Sequence, residues 1–422
     1  MAERLAASAP GRICLFGEHQ DFLGLEVIAA AINLRMEVAG MPRQGAEFHL
    51  AMPDIGDEDA FDPNRPQEPR SARDYLRQAA NVLRREGVKW TRGWDCAIRS
   101  AIPINAGCAS SSALTVAWVA FLLEAAGVEY VPVEVARLAH RAEVVEFGEP
   151  GGMMDHYTSS LGGMLHIDCR PSGDPEGHRE DGPKGRPSGD PEGHREDGPK
   201  GRPSGDPEGH REDGPKGGPS GDPEPRPLGA KGREPIRVTP LEARPDGLVL
   251  GDSLEKKETT AVLAQSKRDV LEGVRLLAGM IPGFDLRETP LEQAAETIRR
   301  LPRQVGAKVE ANLINRDLER LALGMLGDPR RFDAQELGRL LTAHHRELSA
   351  KLGVSTERLD RMCRAALAAG ALGAKVNGSG GGGTMFAFAP GREEAVAAAI
   401  EREGGQPHRV YIDQGLCTWR TP

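Results

Sequence analysis

Residues 103–114 read Pro103-Ile-Asn-Ala-Gly107-Cys-Ala-Ser110-Ser111-Ser112-Ala-Leu114, and the run that follows, through Ala126, is almost wholly apolar. A string of small residues opening such a run predicts a loop feeding a central core helix over 113–126. At such a junction the orphan backbone N–H groups and the helix dipole together form a binding site for phosphate. The hydroxyls of Ser110, Ser111 and Ser112 at the mouth can reach phosphate oxygens or Mg²⁺. No Gly-Lys-Ser/Thr follows, so this is not a Walker A loop. The alternative is an ordinary serine cap on a buried helix.

Three further stretches surround it. Upstream, Ala9-Pro10-Gly11-Arg12 leads into Gly17-Glu18-His19-Gln20-Asp21, a cluster of acceptors and donors on a loop after a strand. Carbohydrate hydroxyls are recognised by such convergent polar groups, because a wrong epimer leaves one of them unpaired. Downstream, Glu143 and Asp155 stand twelve residues apart, with a Gly/Pro turn between them. A hard cation shared with nucleotide phosphates takes one or two protein oxygens. Last, residues 373–384 (GAKVNGSGGGGT) read as a bare loop between a helix and the strand 385–388. Backbone this bare suits close approach to a ligand or to the phosphate loop, a flexible linker being the alternative.

In order and spacing these stretches resemble the GHMP small-molecule kinases, the superfamily of galactokinase, homoserine kinase, mevalonate kinase and phosphomevalonate kinase. The serine-rich loop is similar to the family's P-x-x-x-G-L-(G/S)-S-S-A, with Cys108 for Leu and Ala109 for Gly or Ser. The stretch 11–22 resembles the galactokinase signature G-R-x-N-L-I-G-E-H-x-D-Y, with Cys14 for Asn and Phe22 for Tyr. The run 9–19 is also similar to the mevalonate kinases, which share A-P-G-K-x-x-L-F-G-E-H but carry no acid at the position of Asp21. The galactokinase branch is therefore favoured.

The resemblance implies an α+β fold of two lobes, a ribosomal S5 domain 2-like N-terminal lobe and a ferredoxin-like C-terminal lobe. ATP would lie on Gly107, Cys108, Ala109, Ser110, Ser111 and Ser112, with Gly380 and Gly381 closing against it. Mg²⁺ would be held by Ser110, Ser111 and Glu143. Asp155 would face the substrate hydroxyl, with Arg12 beside it as the charge that steadies the moving phosphoryl group. Glu18, His19, Asp21 and Gly152 would bind the sugar. The implied activity is ATP-dependent phosphorylation of a sugar hydroxyl, the anomeric one. The alternatives are a mevalonate or other alcohol kinase of the same superfamily and a non-catalytic sugar sensor. Galactokinases carry Tyr-Asn-x-Arg-Arg where this chain has residues 252–260 (DSLEKKETT), without a tyrosine, which leaves the sugar open.

The bulk properties agree with such an enzyme. The chain has 422 residues, 39% hydrophobic and only 4% aromatic, so Ala, Leu and Val must do most of the packing. Lys and Arg total 54 against 63 Asp and Glu, a net charge of −9 that offers no footprint for nucleic acid. Six scattered cysteines without metal-ligand spacing read as buried free thiols of a reducing compartment. Neither a signal peptide nor an apolar run long enough to span a bilayer is read, so a cytoplasmic protein without membrane partners is expected. Its partner would be a small molecule, most plainly a monosaccharide, and its state a monomer or weak homo-oligomer.

Residues 171–218 hold three near-perfect copies of PSGDPEGHREDGPKGR, and a fourth begins at Pro219. With half of each unit Pro, Gly or Ser and no large apolar residue, the segment cannot offset its ordering entropy and is expected to be disordered. His178, His194 and His210 recur with the repeat, which fits duplication better than metal binding. The organisation read from the sequence is thus an N-terminal lobe over 1–170, an insert over 171–235 within a hairpin, and a C-terminal lobe over 236–422. Helices are expected over 71–85, 133–146, 253–277, 290–300, 334–351 and 393–402, and over a segment capped by Ser355 or Thr356 that runs to Ala369. Strands are expected over 163–169, 236–241, 248–251, 385–388 and 409–412. His344 and His345 are read as an exposed structural pair.

Overall fold

The computed structural model describes residues 3–104, 106–149, 151–170, 236–255 and 259–421. The repeats lie outside the described residues. The chain opens with β1 (Arg4–Phe16) and β2 (Glu26–Arg43), a long antiparallel pair. β1 is buried from Leu5 to Phe16, so it reads as a continuous small and apolar run rather than an alternating one. β3 (Phe48–Met52) and β4 (Asp57–Phe61) follow, then α1 (Tyr75–Arg85) and β5 (Gly93–Ser100). The helix expected from Ser71 starts instead at Tyr75, because the Asp74 carboxylate accepts from Arg77 N–H and sets the cap there.

Next comes α2 (Ser110–Ala126), buried on nearly every side with Trp118 and Phe121 stacked within the first core. α3 (Pro132–His140) stops short of the expected Glu146, and a π turn over Arg141–Val145 replaces its last part. α4 (Met154–Leu161) leads to β6 (Met164–Asp168), which pairs with β7 (Arg237–Leu241) in the register Asp168↔Arg237.

The remaining elements are β8 (Leu248–Asp252), α5 (Thr259–Met280), α6 (Leu291–Ile298), α7 (Arg303–Leu326), α8 (Ala334–Ala350) and α9 (Glu357–Ala368). Then come β9 (Gly373–Asn377), β10 (Thr384–Phe388), α10 (Glu393–Arg402), β11 (Gln406–Val410) and β12 (Cys417–Thr421). α5 begins later than the expected Ser253, whose N–H is held by the Gly383 carbonyl at 2.8 Å just beyond β8. The head of the supposed glycine loop is the buried strand β9, and only residues 378–383 are loop.

Two sheets organise these elements, an α+β fold as expected. The first runs β12-β1-β2-β5-β3-β4, with β6 on β2 and β7 on β6; the second runs β11-β8-β10-β9. α2 packs on β1 and β2, while α8 and α9 pack on β9. α7 carries an unusual load of buried polar groups: Asn312, Asn315, Arg316 and Glu319. Burial, with the charge of Glu26 beside it, pushes Glu319 up to about 8. His344 is fully buried and stacks on Phe16, and His345 is mostly buried beside Asp360 at 3.2 Å, so the pair is not exposed. The cysteines are free thiols, five of them buried. Among the described residues no helix is long and apolar enough to cross a membrane.

Candidate active site

Helix α2 starts without a side-chain cap. Its N-cap residue is Ala109 at φ 59°, and no serine hydroxyl bonds back onto the first turn. A left-handed backbone at a residue with a Cβ costs about 1–2 kcal/mol, strain of the kind that gathers at functional sites. The first-turn N–H groups have no intrahelical partner, and Gly107 and Ala109 to Ser112 line a cavity of about 170 Å³. The serine-cap alternative is therefore ruled out, and the anion-binding geometry is in place.

β1 is fastened directly to this loop. Arg12 N–H donates to the Cys108 carbonyl at 3.1 Å, and a Cβ on Gly11 would stand 2.8 Å from that same oxygen. The β1–β2 register slips between Pro10 and Gly11, a bulge that re-aims the next side chain. That side chain is Arg12, only 4% exposed. Its Nε and Nη2 donate to the two oxygens of Asp155 at 2.7 and 2.9 Å, and Nη1 donates to the Gly107 carbonyl. Asp155 sits in the first turn of α4, where the helix dipole favours a carboxylate. One guanidinium thus locks the acid to the phosphate loop.

Glu143 reaches the same cavity because the π turn displaces it from the helical path, a common device at functional sites. Its carboxylate is buried and 2.8 Å from His156 Nε2. Burial alone would raise its pKa, but His156 and the Ser111 and Ser112 hydroxyls outweigh burial and lower it. Hydroxyl and carboxylate oxygens gathered at a helix N-terminus suit a hard cation such as Mg²⁺. The observed partners are Ser111 and Ser112, whereas Ser110 lines the cavity at the head of the helix.

Across the cavity lie Glu18, His19 and Asp21. Glu18 Oε1 takes Lys375 Nζ at 2.5 Å, while Oε2 is buried with no hydrogen-bond partner. His19, at φ 63°, places Nε2 3.1 Å from the Ser379 carbonyl. Asp21 Oδ1 accepts from Phe22 N–H at 2.9 Å. A Cβ on Gly152 would fall 2.0 Å from Asp21 Oδ2, which is why that position is bare. Burial first, then the nearby charge of Asp155, raises Asp21 from 3.8 to about 6 despite the Phe22 and Met154 N–H groups and Arg12.

A raised carboxylate in the folded state stabilises the fold below pH 3.8 and loses that contribution as pH rises through about 6. Asp21→Asn should therefore melt higher than wild type at pH 7.5, by at most about 3 kcal/mol. The difference should vanish near pH 4. Thermal melts of both proteins across this range check it, and equal melting points at pH 7.5 would refute it.

The glycines of 378–383 have separate reasons. Cβ atoms on Gly378 and Gly383 would stand 2.5 Å from the Gly107 and Ala106 carbonyls, so this loop lies flat on the phosphate loop. Asn377 Nδ2 seals the contact by donating to Gly107 O at 3.1 Å. Gly378 and Ser379 line the cavity. Gly380 and Gly381 instead face the Val354 carbonyl, which takes Gly381 N–H at 2.7 Å. Cys108 likewise turns its thiol away, to Thr384 at 3.3 Å. Sequence reasoning missed Phe22, Arg73, Tyr75, Glu149, His156 and Ser379 on the cavity wall. Phe22 and Ser379 lie within stretches already singled out and His156 stands beside Asp155, so each of these three had a signal that could have found it. Arg73 and Tyr75 come from before and within α1, far from any motif.

Comparison with known proteins follows the same outline. Residues 74–163 match the GHMP kinases N-terminal domain, 318–406 the GHMP kinases C-terminal domain, and 2–42 the galactokinase galactose-binding signature. The mevalonate kinase of Thermococcus gammatolerans is 28% identical over 97% of this chain and 97% of its own length. The galactokinase of Actinobacillus pleuropneumoniae is 31% identical over 38% of this chain and 44% of its own. Among solved structures, Lactococcus lactis galactokinase complexed with galactose superposes with TM-score 0.72 at 18% identity, covering 98% of this chain and 95% of its own. Methanococcus jannaschii mevalonate kinase gives 0.62 at 16%, covering 97% and 98%. At these identities the two structures show the fold alone.

Proposed function

Because the chain belongs to the GHMP kinases, we propose that it transfers the γ-phosphoryl group of ATP to a hydroxyl of a neutral monosaccharide, the anomeric one by likeness to galactokinase. The observation that carries this reading is the charge of the cavity wall. Glu18, Asp21, Glu143, Glu149 and Asp155 line it, against two guanidiniums, Arg12 and Arg73. Both guanidiniums are engaged, Arg12 with Asp155 and Arg73 with Glu149 at 2.8 Å. An anionic acceptor such as mevalonate would meet no spare cation among the described lining residues. A polyol meets the acceptors it needs, Glu18 Oε2 and the Asp21 carboxylate.

The chemistry follows from positioning and charge. The α2 amides with Ser110, Ser111 and Ser112 hold the phosphates of ATP, and Glu143 with the neighbouring serine hydroxyls holds Mg²⁺. A Mg²⁺ ion held there would supply positive charge against the phosphoryl group in transfer. His156 fixes the Glu143 carboxylate through Oε2 and so orients it toward the serine hydroxyls at the head of α2. Asp155 uses lone pairs left over from the Arg12 contacts to accept the hydroxyl proton, and Arg12 keeps its carboxylate in a single orientation. Glu18 and Asp21 orient the sugar ring.

The second reading, a mevalonate or similar alcohol kinase, rests on the full-length likeness to mevalonate kinases. Incubation with Mg-ATP, a panel of free sugars and mevalonate, following ADP release, separates the readings. Release with a single sugar supports the proposal. Release with mevalonate alone overturns it, and sugar binding without any release identifies a sensor.

A further inference from the structure

Away from the phosphate-transfer cavity, three side chains with metal-ligating atoms meet where β2, β6 and α7 pack. Glu26 and His166 are diagonal neighbours on one face of the β2–β6 ladder, since Ile28 pairs with His166 and Glu26 with Asp168. α7 lays Glu319 onto that face, and the three donor atoms lie within 4.8 Å of one another. We propose that Glu26, His166 and Glu319 form a binding site for a divalent transition-metal cation of the Zn²⁺ type, one that ties α7 to the first sheet.

The unpartnered atoms point to it. Glu319 is 0% exposed, yet neither of its carboxylate oxygens has a hydrogen-bond partner, and His166 Nε2 has none either. His166 Nε2 and Glu319 Oε1 are 3.5 Å apart, outside hydrogen-bonding geometry. Leaving buried polar atoms unpaired is costly, and three such atoms facing one another are satisfied together by one cation. Tetrahedral Zn²⁺ with bonds of about 2.0–2.1 Å keeps its ligand atoms roughly 3.3–3.5 Å apart. The His166–Glu319 pair already meets that spacing, and Glu26 completes it by a small side-chain movement.

Arg287 does not substitute for the cation. Its guanidinium is taken by Glu26 Oε1 at 3.1 Å, Asp168 Oδ1 at 2.8 Å and the Gly24 carbonyl. It acts as an outer support that orients Glu26 and leaves Oε2 for the metal. The imidazole selects for zinc-like ions over Mg²⁺ and Ca²⁺, and the fourth position is left for water. The site therefore differs in chemistry from the all-oxygen set around Glu143, and the inference stands whatever the acceptor of the kinase.

The test uses the full chain, stripped with chelator and titrated with Zn²⁺ by calorimetry in excess Mg²⁺, with Tm followed in parallel. One zinc per chain that Mg²⁺ does not displace, with a raised Tm, is expected. His166→Gln and Glu319→Gln should each weaken binding by more than the roughly 10–100-fold that outer-shell changes cost, and His166→Gln should keep its Mg-ATP turnover. Co²⁺ in the unmodified chain should give visible bands of a nitrogen and oxygen site, a readout that needs no variant. Absence of zinc binding overturns the proposal. So does equal binding by wild type and His166→Gln, which would assign the metal to other groups such as His178, His194 and His210.

Discussion

Asp155→Asn should lower kcat by about 10²–10⁴-fold, the span general-base groups contribute, while ATP binds almost as tightly as before. The carboxylate offers two oxygens, and Arg12 occupies one lone pair on each at 2.7 and 2.9 Å. The remaining lone pairs serve the substrate hydroxyl. An amide keeps one acceptor and turns an NH₂ group toward the donors of Arg12, so the clamp is lost along with the base. The phosphate loop is untouched, because Gly107 and Ala109 to Ser112 hold their shape through Arg12 N–H, Asn377 and the start of α2. Steady-state ADP release with calorimetry of ATP binding measures both parts. A wild-type kcat would remove Asp155 from the chemistry, and a parallel loss of ATP affinity would make it a structural residue.

Lys375→Met should destabilise the protein by about 3–5 kcal/mol, the usual effect of removing one partner of a buried ion pair. Lys375 is fully buried, and its three N–H donors are met by Glu18 Oε1, the Cys14 carbonyl at 2.8 Å and the Val376 carbonyl at 3.0 Å. Without it, Glu18 is a buried anion beside unpaired carbonyls. Glu18→Gln combined with Lys375→Met should recover part of the loss, because no charge is then stranded. Denaturant melts of the wild type, both single variants and the double variant form the cycle. Strict additivity would show that the pair is not coupled. The double variant should still lose sugar affinity, since Glu18 Oε2 no longer faces the cavity as a carboxylate.

Lys375 illustrates what the sequence does and does not display. The phosphate loop was legible because small residues before an apolar run admit few other structures, and the polar cluster from Glu18 to Asp21 was legible as convergent acceptors after a strand. Lys375 was hidden by the glycines around it: the stretch read as a loop, yet its head is a strand whose Gly373 is bare only because the Gly338 carbonyl would lie 2.3 Å from a Cβ. β2 went unread because its Ala-rich run has neither β-branched density nor clean alternation. α7 went unread because buried Asn312, Asn315, Arg316 and Glu319 interrupt its apolar stripe, and Gly306 and Gly324 dilute its propensity. The link from Glu143 to His156 was invisible for a different reason. It depends on a π turn, and local periodicity carries no sign of one.

The outer edge of β1 is covered by β12, with Arg4 opposite Thr421 and Ser8 opposite Cys417. During synthesis the signature strand therefore waits with one row of backbone groups bare until residues 417–421 have been made. Until then the nascent chain exposes an open strand edge, the kind of surface that recruits chaperones or pairs with a neighbour on the same message. Folding of this kinase is in that sense timed by translation: a ribosome that stalls ahead of residues 417–421 leaves the cavity-lining residues made and this edge of the first sheet open.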